Sequence, residues 1–263
     1  MTTRPSRSRP NQPAIESGRL NRFIARAGIC SRRKADELIA GGLVRVNGKV
    51  VREFWQQVST ADQVTVKGRL ITPGEILYLL LNKPKDTITT SHDERGRTTV
   101  MDLITLPKGR QGLFSVGRLD RNTTGILLLT SDGELGHRLM HPRYQIPKQY
   151  LVRTREPVQV EEIIQLRQGI ELEDGPARAD QVAYVHPDNP HQIGIEIHEG
   201  RNRQLRRMFA ALDHEILALE RISYAGLTTR GVRRGRWRRL RTHEINRLRR
   251  LVHSNSSPPA PHD

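Results

Sequence analysis

The chain has 263 residues, enough for one large and one small domain that each bury a core. Lys and Arg total 44 against 28 Asp and Glu, a formal charge of +16 that calls for a polyanionic partner. No apolar run reaches the roughly 20 residues that cross a bilayer, so nucleic acid is a better expectation than a membrane, and aromatics at 4% exclude a surface that stacks many bases in succession.

Residues 1–16 are rich in Arg, Pro and Ser, which predicts a disordered basic tail. They lack the apolar segment of a secretory signal, so a cytoplasmic location is expected. Leu20, Phe23, Ile24 and Ala27 then recur with the spacing of a buried helix face, and Gly28 can end that helix. Cys30 is the only cysteine, which excludes an intrachain disulfide and zinc sites built on several thiolates. Ser31 is placed to cap a second helix with Ala35, Leu38 and Ile39 inward, stopped by Gly41 and Gly42. Val44 and Val46 alternate with polar neighbours, Asn47-Gly48 offers the positive angles of a tight hairpin before Val50, and a second strand pair falls around Val64, Val66 and Ile71. Residues 17–75 therefore read as one compact module.

This module carries charge with a pattern. Arg19, Arg22 and Arg26 are spaced to form a stripe on the first helix, and Arg32, Arg33 and Lys34 crowd the start of the second. Cations at a helix N-terminus oppose its dipole, and phosphates relieve that cost, so the six residues are expected to bind RNA. A merely solvated helix face is the plainer alternative.

Pro73-Gly74 marks a break before Ile76 to Leu81, a continuous apolar run that reads as a buried strand leaving its sheet at Asn82-Lys83-Pro84. Strands are predicted at 126–130, 150–152 and 193–197, with helices at 134–140 and 161–168, giving an α+β sheet domain over 76–253. Ten arginines between Arg230 and Arg250 face one acid, Glu244. Arg233-Arg234-Gly235-Arg236 looks like a loop able to follow a nucleic-acid backbone, while Arg249 and Arg250 coat a terminal helix. Residues 254–263 are Ser/Pro-rich and are predicted to be a disordered tail.

The chemistry centres on Asp120, set between Arg118 and Arg121 beside a buried strand. Nearby positive charge offsets the desolvation that disfavours a buried carboxylate, and an ionised, partly desolvated carboxylate is a competent nucleophile. For an isolated Asp, a loop-organising salt bridge is the better reading. A metal pair at His137 and His141, near Asp132 and Glu134, is disfavoured because no acid stands between the histidines and Pro142 follows at once. Phosphate-loop and dinucleotide glycine patterns are absent.

Longer segments carry two resemblances. Residues 19–28, 30–35 and 44–48 together resemble the RNA-binding domain named after small-subunit ribosomal protein four. Gly117-Arg118-Leu119-Asp120, followed by Thr124 to Thr130 and Asp132-Gly133, resembles the signature of ribosomal-RNA pseudouridine synthases. Leu80 to Pro84, His137 to Pro142, Lys148 to Val152 and Glu199 to Phe209 extend that likeness over about residues 76 to 250. With its N-terminal module the chain is similar to the group that comprises type A, acting on small-subunit RNA, and types B, E and F, acting on large-subunit RNA. It looks closest to type B, an impression that residues 169–176 and 221–227 add to. Two departures stand out: Asp213-His214 in place of Gly-His, and Thr60-Ala61-Asp62 in place of a Pro-Gly-Asp turn. Asp tolerates the left-handed backbone better than most residues.

The resemblance implies an α+β fold, with a small helical and hairpin RNA-binding domain followed by a mixed, mainly antiparallel sheet with flanking helices. It implies isomerisation of a uridine to pseudouridine in ribosomal RNA, expected to be large-subunit RNA, without a cofactor and with no metal. Asp120 is then the catalytic group, attacking the anomeric carbon or assisting removal of the neighbouring sugar proton. Tyr150 stacks on the flipped base, and Arg206 pairs with Asp120, with Arg203 the alternative. Arg118 occupies space near the stack until the base flips, and Leu219 lines the pocket. The expected partner is ribosomal RNA or a ribosomal precursor particle, not a membrane, bound by a monomer. The rivals are the same reaction on small-subunit RNA, and a non-catalytic RNA-binding assembly factor.

Overall fold

A computed structural model describes residues 18–91, 93–107 and 112–254. The tails expected at 1–16 and 255–263 lie outside the described residues, whereas Ser254, expected in the second tail, is the last residue of a helix. The chain divides into two compact units, Met1–Glu75 and Ile76–Asp263.

In the first unit α1 (Leu20–Arg26) and α2 (Arg32–Ala40) bury the faces their apolar spacing dictates, with Leu20, Ile24, Ala35 and Ile39 fully enclosed. Gly28 follows α1 with φ 76, and the Ser31 hydroxyl accepts the Lys34 amide at 3.3 Å to cap α2. Arg19 does not belong to the helical stripe predicted for it. It lies in β1 (Gly18–Arg19), whose extended backbone pairs with β4 (Gln57–Val58) before the helix begins. Asn47 and Gly48, at φ 49 and 81, turn β2 (Val44–Val46) into β3 (Lys49–Val50). β5 (Val64–Val66) and β6 (Arg69–Ile71) complete a sheet of order β3-β2-β5-β6. Asp62 pins the departing turn by accepting from the Ser59 amide at 2.7 Å and from Asn47 at 2.8 Å.

The second unit is built on a mixed sheet. Its strands are β7 (Tyr78–Lys83), β8 (Phe114–Val116), β9 (Thr124–Thr130), β10 (Lys148–Thr154), β11 (Gln181–Tyr184), β12 (Gln192–Ile197), β13 (Ile216–Tyr224), β14 (Leu227–Thr228) and β15 (Trp237–Arg239). The order is β11-β12-β10-β13-β9-β7-β15, with β8 added to β9 and β14 to β13. Every pairing is antiparallel except β13 with β9, which is the mainly antiparallel arrangement the sequence implied.

Helices cover both faces. Leu79, Leu81, Leu127 and Leu129 point to one core, shared with α4 (Val160–Gln168) and α5 (Gln204–Ala210). Leu80, Ile126 and Leu128 point to the other, shared with α3 (Gly133–Met140) and α6 (Thr242–Ser254). A strand covered on both sides has no polar phase, which is why the segment from Ile76 to Leu81 reads as an unbroken apolar run.

The sheet is discontinuous at one place. β7 occupies one edge of β9, while the other edge is shared: β8 pairs with Leu128 to Thr130, and β13 pairs in parallel at only two positions, Glu220 with Thr124 and Arg221 with Gly125. Gly125 is required there. Its φ is +104, and a Cβ at this position would lie 2.1 Å from the Arg221 carbonyl oxygen.

Candidate active site

Asp120 stands in the loop between β8 and β9, and a lysine fixes that loop from below. Lys83, fully buried at the end of β7, donates its ammonium to the carbonyl oxygens of Asp120, Arg121 and Thr123 at 3.0, 3.0 and 2.9 Å, and to Pro84 at 3.1 Å. Burial pushes its pKa down to about 8, against the pull of the Asp120 and Asp86 carboxylates. Thr89 adds a second anchor, donating to the Leu119 carbonyl at 2.7 Å.

The Asp120 carboxylate faces two arginines from the start of α5, Arg206 Nε at 3.9 Å and Arg203 Nη1 at 4.0 Å. Both ion pairs are longer than hydrogen bonds, so the carboxylate is oriented by charge and keeps its lone pairs available. Arg206 is the more enclosed, with its side chain 18% exposed against 57% for Arg203. Arg203 caps the helix with a left-handed backbone, φ 48, a conformation that costs a residue with a Cβ about 1 kcal/mol or more and that persists only where surroundings impose it. The arginines adjacent in sequence do not form these pairs, contrary to the simplest reading of the motif. Arg121 turns outward to Asp86 at 3.1 Å, and Arg118 stands exposed at the cleft.

A cleft of about 860 Å³ opens in front of Asp120. Tyr150, Arg206, Arg203, Arg118 and Leu219 all line it with Asp120, so the proposed site residues converge on one space. β10 and β13 supply the floor, where Tyr150 sits opposite Arg221 in register. A register shift between Gln149 and Tyr150 lets β13 change phase and brings Tyr224 opposite Lys148.

Sequence reasoning missed three cations of this site. Lys83 was read only as the exit of a strand. Lys148 donates to the carbonyls of Ile146, at 2.9 Å, and His198, and burial, reinforced by Arg221, pushes its pKa down to about 8. Arg221 is 2% exposed and donates Nε to the Ile126 carbonyl at 2.9 Å. The available signal was phase: Lys148 shares the inward face of Tyr150 and Val152, and Arg221 that of Leu219.

The six residues expected to bind RNA lie in the first unit. Arg32, Arg33 and Lys34 are exposed in the first turn of α2, with Lys34 paired to Glu37; Arg22 and Arg26 are half-buried on α1, and Arg19 is exposed in β1. The C-terminal arginine cluster is less uniform than it reads. Arg234 is tied at 2.7 Å to both Asn82 and Glu220, and Arg238 clasps Glu244 with two bonds of 2.7 Å. His137 and His141 meet edge to face, and among the described residues no group of three or more candidate ligands surrounds a metal position. Among the same residues no helix is long and apolar enough to cross a membrane.

Residues 77–211 match the RNA pseudouridylate synthase family, and residues 18–64 match the S4 domain. The chain belongs to the RNA pseudouridine synthase family, whose enzymes isomerise uridine. It is 44% identical over 238 residues to the ribosomal large subunit pseudouridine synthase B of Bacillus subtilis, an alignment covering 89% of this chain and 96% of that protein. It is also 39% identical over 238 residues to an uncharacterized RNA pseudouridine synthase of Aquifex aeolicus, covering 89% of this chain and 94% of the relative. The crystal structure of a pseudouridylate synthase superposes with a TM-score of 0.63 at 31% identity, over 88% of this chain and 99% of the other. Asp213, the departure noted above, adopts φ 59, the left-handed backbone that Asp tolerates.

Proposed function

We propose that the chain isomerises a uridine of large-subunit ribosomal RNA to pseudouridine, with Asp120 acting on the sugar. The observation that carries this reading is the Asp120 carboxylate, held by Arg206 and Arg203 at the head of a cleft that also contains Tyr150. The large-subunit target rests on the Bacillus subtilis relative, which bears that name.

The reaction breaks the bond from C1′ of the ribose to N1 of uracil and joins C1′ to C5. The C5 proton is lost and N1 gains one, so atoms balance without oxidant, reductant or transferred group, and no cofactor is called for. One carboxylate has two ways to begin. It attacks C1′ to give a sugar ester that is displaced when C5 joins C1′, or it removes the C2′ proton while the base leaves and returns it to C2′ when C5 joins C1′; we favour the second. Tyr150 stacks on the base once it is flipped from its helix, Leu219 gives the pocket an apolar wall, and Arg118 occupies space near the stack until the base flips. Arg19, Arg22, Arg26, Arg32, Arg33 and Lys34 hold the RNA through phosphates. One chain carries every group invoked, so the working unit is a monomer, which its mass in solution tests.

The deciding experiment supplies large- and small-subunit ribosomal RNA tritiated at uracil C5 to the native chain and to Asp120→Asn. Release from large-subunit RNA by the native chain alone is the expected result. Release confined to small-subunit RNA overturns the target, and equal release by both proteins, or by neither on bound precursor RNA, overturns the catalytic role. Deuterium at C2′ of the target separates the routes, since only proton removal gives a primary isotope effect.

A further inference from the structure

Arg221 is a buried cation with unfinished bonding. Its guanidinium fills the gap where the edge of β9 passes from β13 to β8, giving Nε to the Ile126 carbonyl at 2.9 Å and lying 4.8 Å from the ring centre of Tyr224. Nη2 is buried and has no hydrogen-bond partner. Among the described residues no carboxylate pairs with Arg221; the neighbouring Glu220 is taken by Arg234 at 2.7 Å. Lys148 adds a second, half-buried positive charge close enough to be felt electrostatically. A desolvated cation with an idle donor and no counter-ion is costly unless the working complex supplies an anion or a strong acceptor.

We propose that the Arg221 guanidinium receives a carbonyl oxygen of the flipped uracil and holds the base as its anion between cleavage and rejoining. The position selects a base over a phosphate. Arg221 lines the floor of the cleft opposite Tyr150, the residue assigned to stack on the base, and at 2% exposure it is out of reach of a hydrated backbone phosphate. When the N1–C1′ bond breaks, its electron pair goes to N1 and spreads onto the two carbonyl oxygens of uracil. A donor already fixed beside one of those oxygens is stronger after cleavage than before it, which is the condition for lowering the barrier. When C5 attacks C1′ the pair returns to bonding, C5 loses its proton, N1 regains one, and the contact relaxes. Arg221 is thereby both a grip on the detached base and a selector for a ring with carbonyls at those positions.

This inference rests on the reading of the cleft as the uridine site, and its test keeps the two apart. An RNA fragment containing the mapped target is prepared with uridine, 2-thiouridine or 4-thiouridine at that position, each tritiated at C5. Single-turnover release and RNA affinity are then measured for the native chain, Arg221→Gln and Arg221→Lys. On the native chain one of the two sulfur substitutions is expected to slow release about tenfold, because sulfur is a poor acceptor. Arg221→Gln is expected to be about 100-fold slower with unchanged RNA affinity, and insensitive to the same sulfur substitution. A sulfur effect that persists undiminished in Arg221→Gln overturns the proposal, as does a loss confined to RNA affinity. Should neither variant fold, the native chain decides alone, since equal rates on all three RNAs overturn it. If Asp120→Asn is inactive while the sulfur effects are uncoupled from Arg221, this inference fails and the parent reading stands; activity in Asp120→Asn removes the parent reading itself.

Discussion

Lys83 places Asp120 without touching its carboxylate. A protonated amine has three hydrogens to share among the loop carbonyls, and a neutral one has two, so deprotonation loosens the segment from Asp120 to Thr123. With its pKa lowered to about 8, and that of Lys148 likewise, kcat is expected to fall as pH rises through about 8. Stability should move the other way. Between about pH 8 and the ordinary lysine range near 10.4 the unfolded chain holds the protons that the folded chain has shed, so these lysines favour folding more as pH rises. A pH series of kcat and Tm for native and Lys83→Met proteins checks both signs; the variant should lack the part due to Lys83 and be about 100-fold slower from loop misplacement. The two arginines should differ as well. Arg206→Gln is expected to lower kcat about 100-fold, and the more exposed Arg203→Gln about tenfold or less, in single-turnover assays. Asp120, Tyr150 and Arg206 were read from long motifs, and their convergence on one cleft is the part of the site legible in sequence. The flanking charges were less so: sequence set Asp120 between Arg118 and Arg121, whereas Arg121 pairs with Asp86 and the two arginines named from the later motif face the carboxylate. Lys83 and Arg221 were hidden for another reason: lysine and arginine are rarely enclosed, so nothing local announces it.

At the scale of elements, punctuation was read well and short strands badly. Gly28, Ser31 and Asn47-Gly48 each end, cap or turn an element where their chemistry predicts. Strands β8, β14 and β15 contain 3, 2 and 3 residues, too few to show a period, and β15 lies within the arginine cluster. β9 begins two residues before the predicted Ile126 because Thr124 and Gly125 pair with β13, and a glycine at positive φ looks like a breaker until its neighbour strand is known. Gly125→Ala is therefore expected to cost about 3 kcal/mol or more, from steric overlap and backbone strain together, measured by denaturant unfolding. Asp132 has two duties, capping α3 by accepting from the amides of Glu134 and Leu135 at 3.1 Å and accepting the Tyr78 hydroxyl at 2.7 Å. Asp132→Ala should lower stability by about 2 kcal/mol, in the same measurement, because it removes a cap and leaves the hydroxyl of the buried Tyr78 without an acceptor for its proton.

For the whole molecule, the charge of +16 sets how RNA is held. Affinity for ribosomal RNA fragments should fall linearly on a log–log plot against salt, and the paired change Arg32→Glu with Arg33→Glu should flatten that slope by about two phosphate contacts while leaving single-turnover release at saturating RNA unchanged. Composition and the Pro73-Gly74 break made the two-part organisation visible, and the chain divides between Glu75 and Ile76. The sheet order was not visible, because it depends on which strands meet across long sequence separations. The two register positions that join β13 to β9 carry a further consequence. The β11-β12-β10-β13 half and the β9-β7-β15 half are two hydrogen-bonded ribbons stitched at a short seam, each with ladders longer than the stitch. Amide exchange should accordingly resolve two protected blocks in one sheet, with the seam amides exchanging at a lower opening energy than either ribbon. The cleft lies over that seam, so a bound base that engages Arg221 would slow exchange there first, knitting the ribbons into one cooperative unit.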